Sequence, residues 1–301
     1  MQLTPLQGDF GAAIRGVDLR QPLSAAESDE ILAALDRHVV LAFPGQQITD
    51  EQQLAVARLI GTPTSYHQGG DPKRLFNYIS PQLASVTNLD ENGNPRPVKD
   101  LRYEGLYNTR LWHSDHSWKQ TPDRATLLAA KEIPPVGGNT EFIDMRAAWD
   151  AIPARRQREL ERLLAFHSRE HGRLQIGVKI SEEDKRRFPP ALQPLVRTNA
   201  RTGRKALYLG VHSSHAVGMP EQEGRALVKE LFAHIAQPQF VYSYRWHVDD
   251  LVVWDNAQTT HRSTPFEEDK QRRLLRRVGV LENGPVVDVQ AASRLGYEIA
   301  A

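Results

Sequence analysis

The chain of 301 residues contains no cysteine. That absence excludes disulfides, iron–sulfur clusters, cysteine-ligated zinc and thiol nucleophiles. An excess of either charge sign is also missing: 38 Lys and Arg stand against 37 Asp and Glu, a formal net charge of +1. Such a balance argues against a nucleic-acid binder that works through its overall charge, although a local patch stays open. No run approaches the ~20 apolar residues of a membrane-spanning helix. The first residues carry neither the basic nor the apolar stretch of a signal peptide. The expectation is a cytoplasmic protein that binds neither nucleic acid nor membrane. Gly/Ser linkers, low-complexity tracts and internal repeats are absent as well, so a single domain over residues 1–301 is expected. What the chain does have is histidine, 11 in all. With Asp and Glu, these must carry any metal or general-base chemistry.

Short strands are expected at 12–17 and 39–43. Between them, 24–37 opens on Ser24 and acidic residues and carries Ile31, Leu32 and Leu35 at helical spacing. Thr49-Asp50-Glu51-Gln52 opens a second helix, ended by Gly61. From about 62 to 108 the pattern weakens into Gly, Pro and Asn turns, and loops of that length usually act as lids or binding segments. Residues 111–118 alternate and read as a strand. So do 125–131 and 140–143, with Gly137-Gly138 turning between them. Residues 145–152 and 153–166 read as helices, 195–199 and 206–209 as a hairpin, and 220–235 as an amphipathic helix. Strands are expected again at 240–246, 251–254 and 274–281. The sum is a mainly β fold, a sandwich or barrel with flanking helices and a helical insertion at about 145–236.

On a strand, His113 and Asp115 of Leu111-Trp112-His113-Ser114-Asp115 point to the same face. One imidazole and one carboxylate occupy two positions around a metal. Two histidines and one carboxylate leave three positions open, the arrangement of non-haem Fe(II) oxygenases. His-x-Asp alone is not specific, because His247-Val248-Asp249 has the same spacing. A histidine hydrogen-bonded to a carboxylate on a sheet surface is the plain alternative for either. Downstream come Trp254-Asp255-Asn256, Thr260-His261-Arg262 and the basic run 272–277. Arg273 and Arg277 share one face of a strand. Turned inward they require anions, and a guanidinium fork suits carboxylates. Turned outward they are a solvated basic edge.

Together, His113-x-Asp115, the distal His261 and the pair Arg273 and Arg277 resemble the taurine dioxygenase family of Fe(II)/2-oxoglutarate-dependent oxygenases. Leu111-Trp112-His113-Ser114-Asp115 is similar to that family's Trp-His-Thr-Asp. Gly137-Gly138-Asn139-Thr140 is similar to its Gly-Gly-Asp-Thr, and Trp254-Asp255-Asn256 to its Trp-Asp-Asn. The resemblance covers essentially the whole chain. It implies a double-stranded β-helix (jelly-roll, cupin-like) core and Fe(II) held by His113, Asp115 and His261. It implies 2-oxoglutarate with its distal carboxylate on Thr140 and Arg273, O2 as the second co-substrate, and Arg277 reaching an acidic substrate. A one-residue slip would instead turn Arg272 and Arg276 inward. The resemblance puts His247-Val248-Asp249 in a turn. His116 is expected to face away from Asp115. His38, His167, His171 and His234 are expected on surfaces or helix faces, and His212 and His215 in a loop.

The implied reaction converts 2-oxoglutarate to succinate and CO2 while hydroxylating a C–H bond. The carboxylate of Asp115 favours hydroxylation, since related halogenases lack it. Within the family, residues 108–118, 217–219 and 237–240 and the Arg262 after His261 look like aryloxyalkanoate dioxygenases. There, hydroxylation beside an ether oxygen gives a hemiacetal that collapses to a phenol and a keto acid. The expected substrate is a small acidic molecule of that kind, with taurine, alkylsulfonates or alkyl sulfates as the alternative. Tyr66, His67, Asn77, Tyr78 and Tyr103 of the 62–108 segment are expected to line the pocket. His67 or Asn108 is expected to help bind the acid group. A homo-oligomer is expected by resemblance. Two readings from other classes stay open: a metal-dependent hydrolase and a non-catalytic jelly-roll binding protein. A hydrolase has no use for a distal Arg–Thr site.

Overall fold

The computed structural model describes residues 1–66, 78–97 and 109–287. The chain runs β1 (Gln2–Gln7), β2 (Phe10–Arg15), α1 (Ala25–His38), β3 (Val40–Phe43), α2 (Asp50–Ile60), β4 (Tyr78–Ser80), β5 (Leu83–Thr87), β6 (Asp123–Glu132) and β7 (Thr140–Asp144). It continues through α3 (Met145–Asp150), α4 (Ala154–Leu160), β8 (Leu164–His167), α5 (Arg169–Leu174), α6 (Glu182–Arg187), β9 (Ala191–Pro194), β10 (Val196–Thr198), β11 (Lys205–Leu207), β12 (Ser213–Ala216) and α7 (Glu221–Ile235). It closes with β13 (Val241–Tyr244), β14 (Leu251–Asp255), β15 (Thr259–Ser263) and β16 (Leu274–Leu281).

Helices α1 and α2 begin where the sequence places their caps. Ser24 with Glu27, and Thr49 with Gln52, each form a reciprocal capping box. Each such cap is worth about 1 kcal/mol. Both helices lie on one face of a large sheet with strand order β1-β2-β3-β14-β6-β16-β5-β4. Its other face meets a second sheet, β13-β7-β15. Strand alternation divides the core accordingly. Leu127 and Ala129 of β6, and Leu251 and Val253 of β14, pack with Ile31, Leu35, Leu54 and Ala57 of the helices. Leu128, Ala130, Val252 and Trp254 pack the opposite way, with Phe142 and Tyr244 of the second sheet. Burial on both faces is why 251–254 is uninterruptedly apolar. The two facing sheets form the double-stranded β-helix, a mainly β fold with flanking helices. A third apolar cluster lies mostly within residues 145–236, where Trp149, Leu160, Leu209 and Leu231 are buried together. No helix among the described residues is long and apolar enough to cross a membrane.

Several elements differ from expectation. Residues 111–118 are not a strand: only His113 makes a bridge, and the chain then turns through His116 at φ 52°. The 153–166 helix stops at Leu160, and β8 follows, paired with both β9 and β12. Leu160, Leu163 and Leu164 suit a helix by spacing, but pairing with two strands outweighs local preference. Leu83–Thr87 is not loop; it pairs with β16 in the large sheet. The strand β1, paired with β2, has no strong sequence signal.

Candidate active site

His261 stands in the middle of β15, opposite Phe142 of β7. His113 faces it through an antiparallel bridge: His113 N donates to His261 O at 3.0 Å and His261 N donates to His113 O at 2.9 Å. The two rings lie 4.2 Å apart between centroids. After His113 the chain folds back, with Lys119 N donating to His116 O at 2.8 Å. This turn, rather than strand alternation, brings Asp115 beside both rings. Its Oδ1 is 3.9 Å from His113 Nε2 and its Oδ2 3.7 Å from His261 Nε2. One donor atom from each of the three residues lies within 4.8 Å of the others, and among the described residues no other trio of His, Asp or Glu does so.

The surroundings orient the three donors. His113 Nδ1 is 2.7 Å from Leu111 O, which leaves Nε2 to face the trio. Thr126 Oγ1 donates to Asp115 Oδ2 at 2.6 Å. Asn256, itself buried, accepts from Asp115 N and Trp254 Nε1 and donates to Thr126 Oγ1. The Trp254-Asp255-Asn256 motif thus acts as a brace behind the carboxylate. Burial pushes Asp115 up, but Arg277, His261, His113 and His116 together hold it far below the usual carboxylate range. Burial, helped by the nearby His113, pushes His261 down to about 3. An ionised carboxylate and neutral imidazoles are the metal-binding forms. Two nitrogens and one oxygen suit a divalent first-row metal and leave positions open for exogenous ligands.

A small cavity of about 50 Å³ joins the trio to Thr140, Trp254, Arg273 and Arg277. Thr140 begins β7, and its Oγ1 accepts from Trp246 Nε1 at 3.0 Å. Arg273 is buried just before β16, where Nε donates to Gly138 O at 3.0 Å. Gly138 must lack a side chain, because a Cβ there would lie 3.2 Å from the Arg273 stem and 2.8 Å from Pro134. Burial pushes the Arg273 guanidinium down to about 10, against the pull of Glu268. Arg272 and Arg276 point the other way. Arg272 pairs with Glu132 on the surface, and Arg276 reaches Ser85 and Asp50. Arg277 Nη2 lies 3.1 Å from Asp115 and 2.9 Å from Asp123, and Nη1 donates to Tyr66 Oη at 2.5 Å.

A larger cavity of about 490 Å³ adjoins two of the trio, His113 and Asp115. Its walls include Tyr66, Trp118, Phe188, Lys119 and Arg169. Sequence reasoning missed most of these. Trp118 and Lys119 follow the His-x-Asp motif directly, which is the one signal they carried. Arg169 and Phe188 come from the stretch 145–236 and carried none. His116 does not face away: its Nδ1 is 2.9 Å from the buried Asp123, and it lines this cavity. His167 is no surface residue either; it is buried in β8 with Nε2 3.0 Å from Ser213 Oγ. His38 is buried at the end of α1, and His212 is a buried wall of the larger cavity. His247 sits in an exposed turn, 3.4 Å from Asp250 and apart from the trio. Tyr78 is in β4. His67, Asn77, Tyr103 and Asn108 lie outside the described residues.

A jelly roll with two histidines and a carboxylate between its sheets defines a metal-dependent oxygenase scaffold. Comparison with known proteins is specific. Residues 2–278 match the taurine catabolism dioxygenase TauD, TfdA family, and the chain belongs to that family. It is 40% identical over 286 residues to an alpha-ketoglutarate-dependent 2,4-dichlorophenoxyacetate dioxygenase of Cupriavidus pinatubonensis, covering 94% of this chain and 98% of that protein. It is 30% identical over 279 residues to an (S)-phenoxypropionate/alpha-ketoglutarate-dioxygenase of Sphingobium herbicidovorans, covering 90% and 91%. The crystal structure of AAD-2 in complex with Mn(II) and N-oxalylglycine superposes with a TM-score of 0.86 at 38% identity, covering 95% of this chain and 98% of that one. The chain is therefore an oxidoreductase, a dioxygenase of this family.

Proposed function

We propose that this dioxygenase uses Fe(II), 2-oxoglutarate and O2 to hydroxylate an aryloxyalkanoate beside its ether oxygen. The observation that carries the reading is the meeting of two cavities at His113 and Asp115. One cavity holds Thr140 and Arg273, and the other has aromatic and basic walls. When bound, Fe(II) with 2-oxoglutarate and O2 supplies the oxidant, releasing succinate and CO2. His113, Asp115 and His261 would hold the metal. The guanidinium of Arg273 and the hydroxyl of Thr140 would bind the distal carboxylate of 2-oxoglutarate, a pairing suited to a planar anion. Arg277, on the same face as Arg273, would hold Asp115 in place and draw the substrate's acid group towards the metal. Tyr66, Trp118 and Phe188 offer ring faces to an aryl group. Insertion of oxygen at the carbon beside the ether gives a hemiacetal, which breaks to a phenol and a 2-oxo acid. His67 and Asn108 would assist at the acid group.

The names of the relatives support an aromatic ether acid, and so does the aromatic lining. Neither feature is needed for taurine or an alkyl sulfate. The reading extends to a cytoplasmic homo-oligomer of single-domain subunits, with an insertion at about 145–236 and a lid in 62–108. The large sheet draws strands from both ends of the chain, β1 and β16, which favours one domain. Light scattering on the purified protein checks the oligomer. The reaction is tested by a panel of aryloxyacetates, both hands of 2-aryloxypropionates, taurine and alkyl sulfates, scored by succinate. Succinate release with the aryloxy acids, dependent on Fe(II) and 2-oxoglutarate, is expected. Release with taurine or alkyl sulfates alone would overturn the substrate class.

A further inference from the structure

The larger cavity is lined by Lys119, whose ammonium has no hydrogen-bond or ion-pair partner among the described residues. Arg277, by contrast, has its guanidinium between two carboxylates, Asp115 and the fully buried Asp123. A substrate carboxylate drawn there by Arg277 meets a cation already shared by two anions, so its charge needs a second partner. Lys119 lines the same cavity as His113 and Asp115 and is half-buried. Its ammonium lies over the Trp118 ring, with Nζ 5.4 Å from the centroid. Burial lowers its pKa, while the charge of Asp123 works to keep it protonated.

The backbone beneath Lys119 is fixed. Lys119 N donates to His116 O at 2.8 Å. The amide of the buried Gln193 clamps the turn, donating to Lys119 O at 2.8 Å and to Ser117 O at 3.0 Å. A partly desolvated ammonium on a rigid turn needs an anion, and among the described residues none pairs with it. In an aryloxyalkanoate the carbon to be hydroxylated bears the carboxylate. Its anchor must therefore stand close to the metal ligands, and Lys119 is four residues beyond Asp115 on the turn that carries it.

We propose that Lys119 is the carboxylate anchor that selects acidic substrates, with the aryl ring lying along Trp118 and Phe188. This assignment rests on the aryloxyalkanoate reading above. The ammonium would supply a charge-assisted hydrogen bond, and the aromatic wall would fix the far end of the molecule.

The test is calorimetric binding to full-length protein loaded with Mn(II) and N-oxalylglycine, which prevents turnover. The probes are phenoxyacetate, 2,4-dichlorophenoxyacetate and the neutral 2-phenoxyethanol. Lys119→Met is expected to weaken both acids by about tenfold or more, with 2-phenoxyethanol and N-oxalylglycine affinities unchanged. Lys119→Arg should keep most of the acid affinity. Lys119→Gln is a second neutral variant should the methionine form fold poorly. Unchanged acid affinity in the neutral variants overturns the anchor and leaves the aryloxyalkanoate reading standing. A wild-type protein that binds neither acid overturns both.

Discussion

Arg272 and Arg273 are neighbours in sequence and opposites in surroundings. The first lies on the surface against Glu132, and the second is buried with its Nε on Gly138 O. Strand alternation made Arg273 and Arg277 share a face, but not which face; that depends on the register of β16 against β6 and β5. Arg273→Ala is expected to weaken N-oxalylglycine binding by roughly ten- to hundredfold, the usual worth of hydrogen bonds to a charged group. Arg272→Ala should change it less than about threefold, since exposed ion pairs contribute little. Calorimetry on the Mn(II)-loaded protein reads both, and the reverse order would assign the co-substrate to the other face. The two His-x-Asp motifs separate in the same manner. Spacing could not distinguish His113 from His247, because a metal site needs a third donor from elsewhere in the chain. His113→Ala should abolish stoichiometric Mn(II) binding, and His247→Ala should retain it. Loss of metal in the second variant alone would refute the site.

At the scale of elements, the sequence was most legible where local chemistry decides. Both helix caps, the 251–254 and 274–281 strands and the 196–207 hairpin are placed by side chains within a few positions of each other. It was least legible where distant pairing decides. Residues 111–118 read as a strand by alternation, yet the chain turns at 114–119, where the clamp is Gln193, far along the chain. The α4–β8 boundary failed for the same reason. Helix α7 supplies an informative case. By helix propensity alone, Gly224→Ala should stabilise it by about 1 kcal/mol. In the fold a Cβ at Gly224 would lie 2.2 Å from Ala216 O of β12. Backbone cannot yield as a flexible side chain can, so this substitution is expected to destabilise by roughly 1–3 kcal/mol. Thermal unfolding checks it; a raised melting temperature would show that α7 can move off β12 at no cost.

For the whole molecule, the buried histidines make folding sensitive to acid. His167 stacks on Tyr208 with ring centroids 5.4 Å apart, and burial pushes its pKa down to about 3. Its ordinary value is near 6.5. Between those values the unfolded chain takes up a proton that the folded chain excludes. Stability is therefore full above pH 6.5 and falls as the pH drops towards 3, by something on the order of a few kcal/mol from this residue. His167→Gln should be less stable than wild type at neutral pH but lose less on acidification. Chemical denaturation of the metal-free protein between pH 7 and 4 reads the difference, and parallel curves would mean that His167 is already solvated. None of this was visible in the sequence, where His167 looked like a surface residue because the strand burying it was not foreseen.

The residues proposed to hold metal and 2-oxoglutarate stand on β7, β15, the position just before β16 and the bridge and turn at 113–119, whereas Arg169 and Phe188 come from the stretch 145–236. Part of the wall proposed to face the substrate therefore comes from a stretch of the chain separate from the proposed metal and 2-oxoglutarate residues. Under the proposed reading, drift in 145–236 would alter that wall and leave the metal and 2-oxoglutarate residues untouched. A library randomised at Arg169 and Phe188 should consequently yield many catalysts with altered diets and few inert proteins.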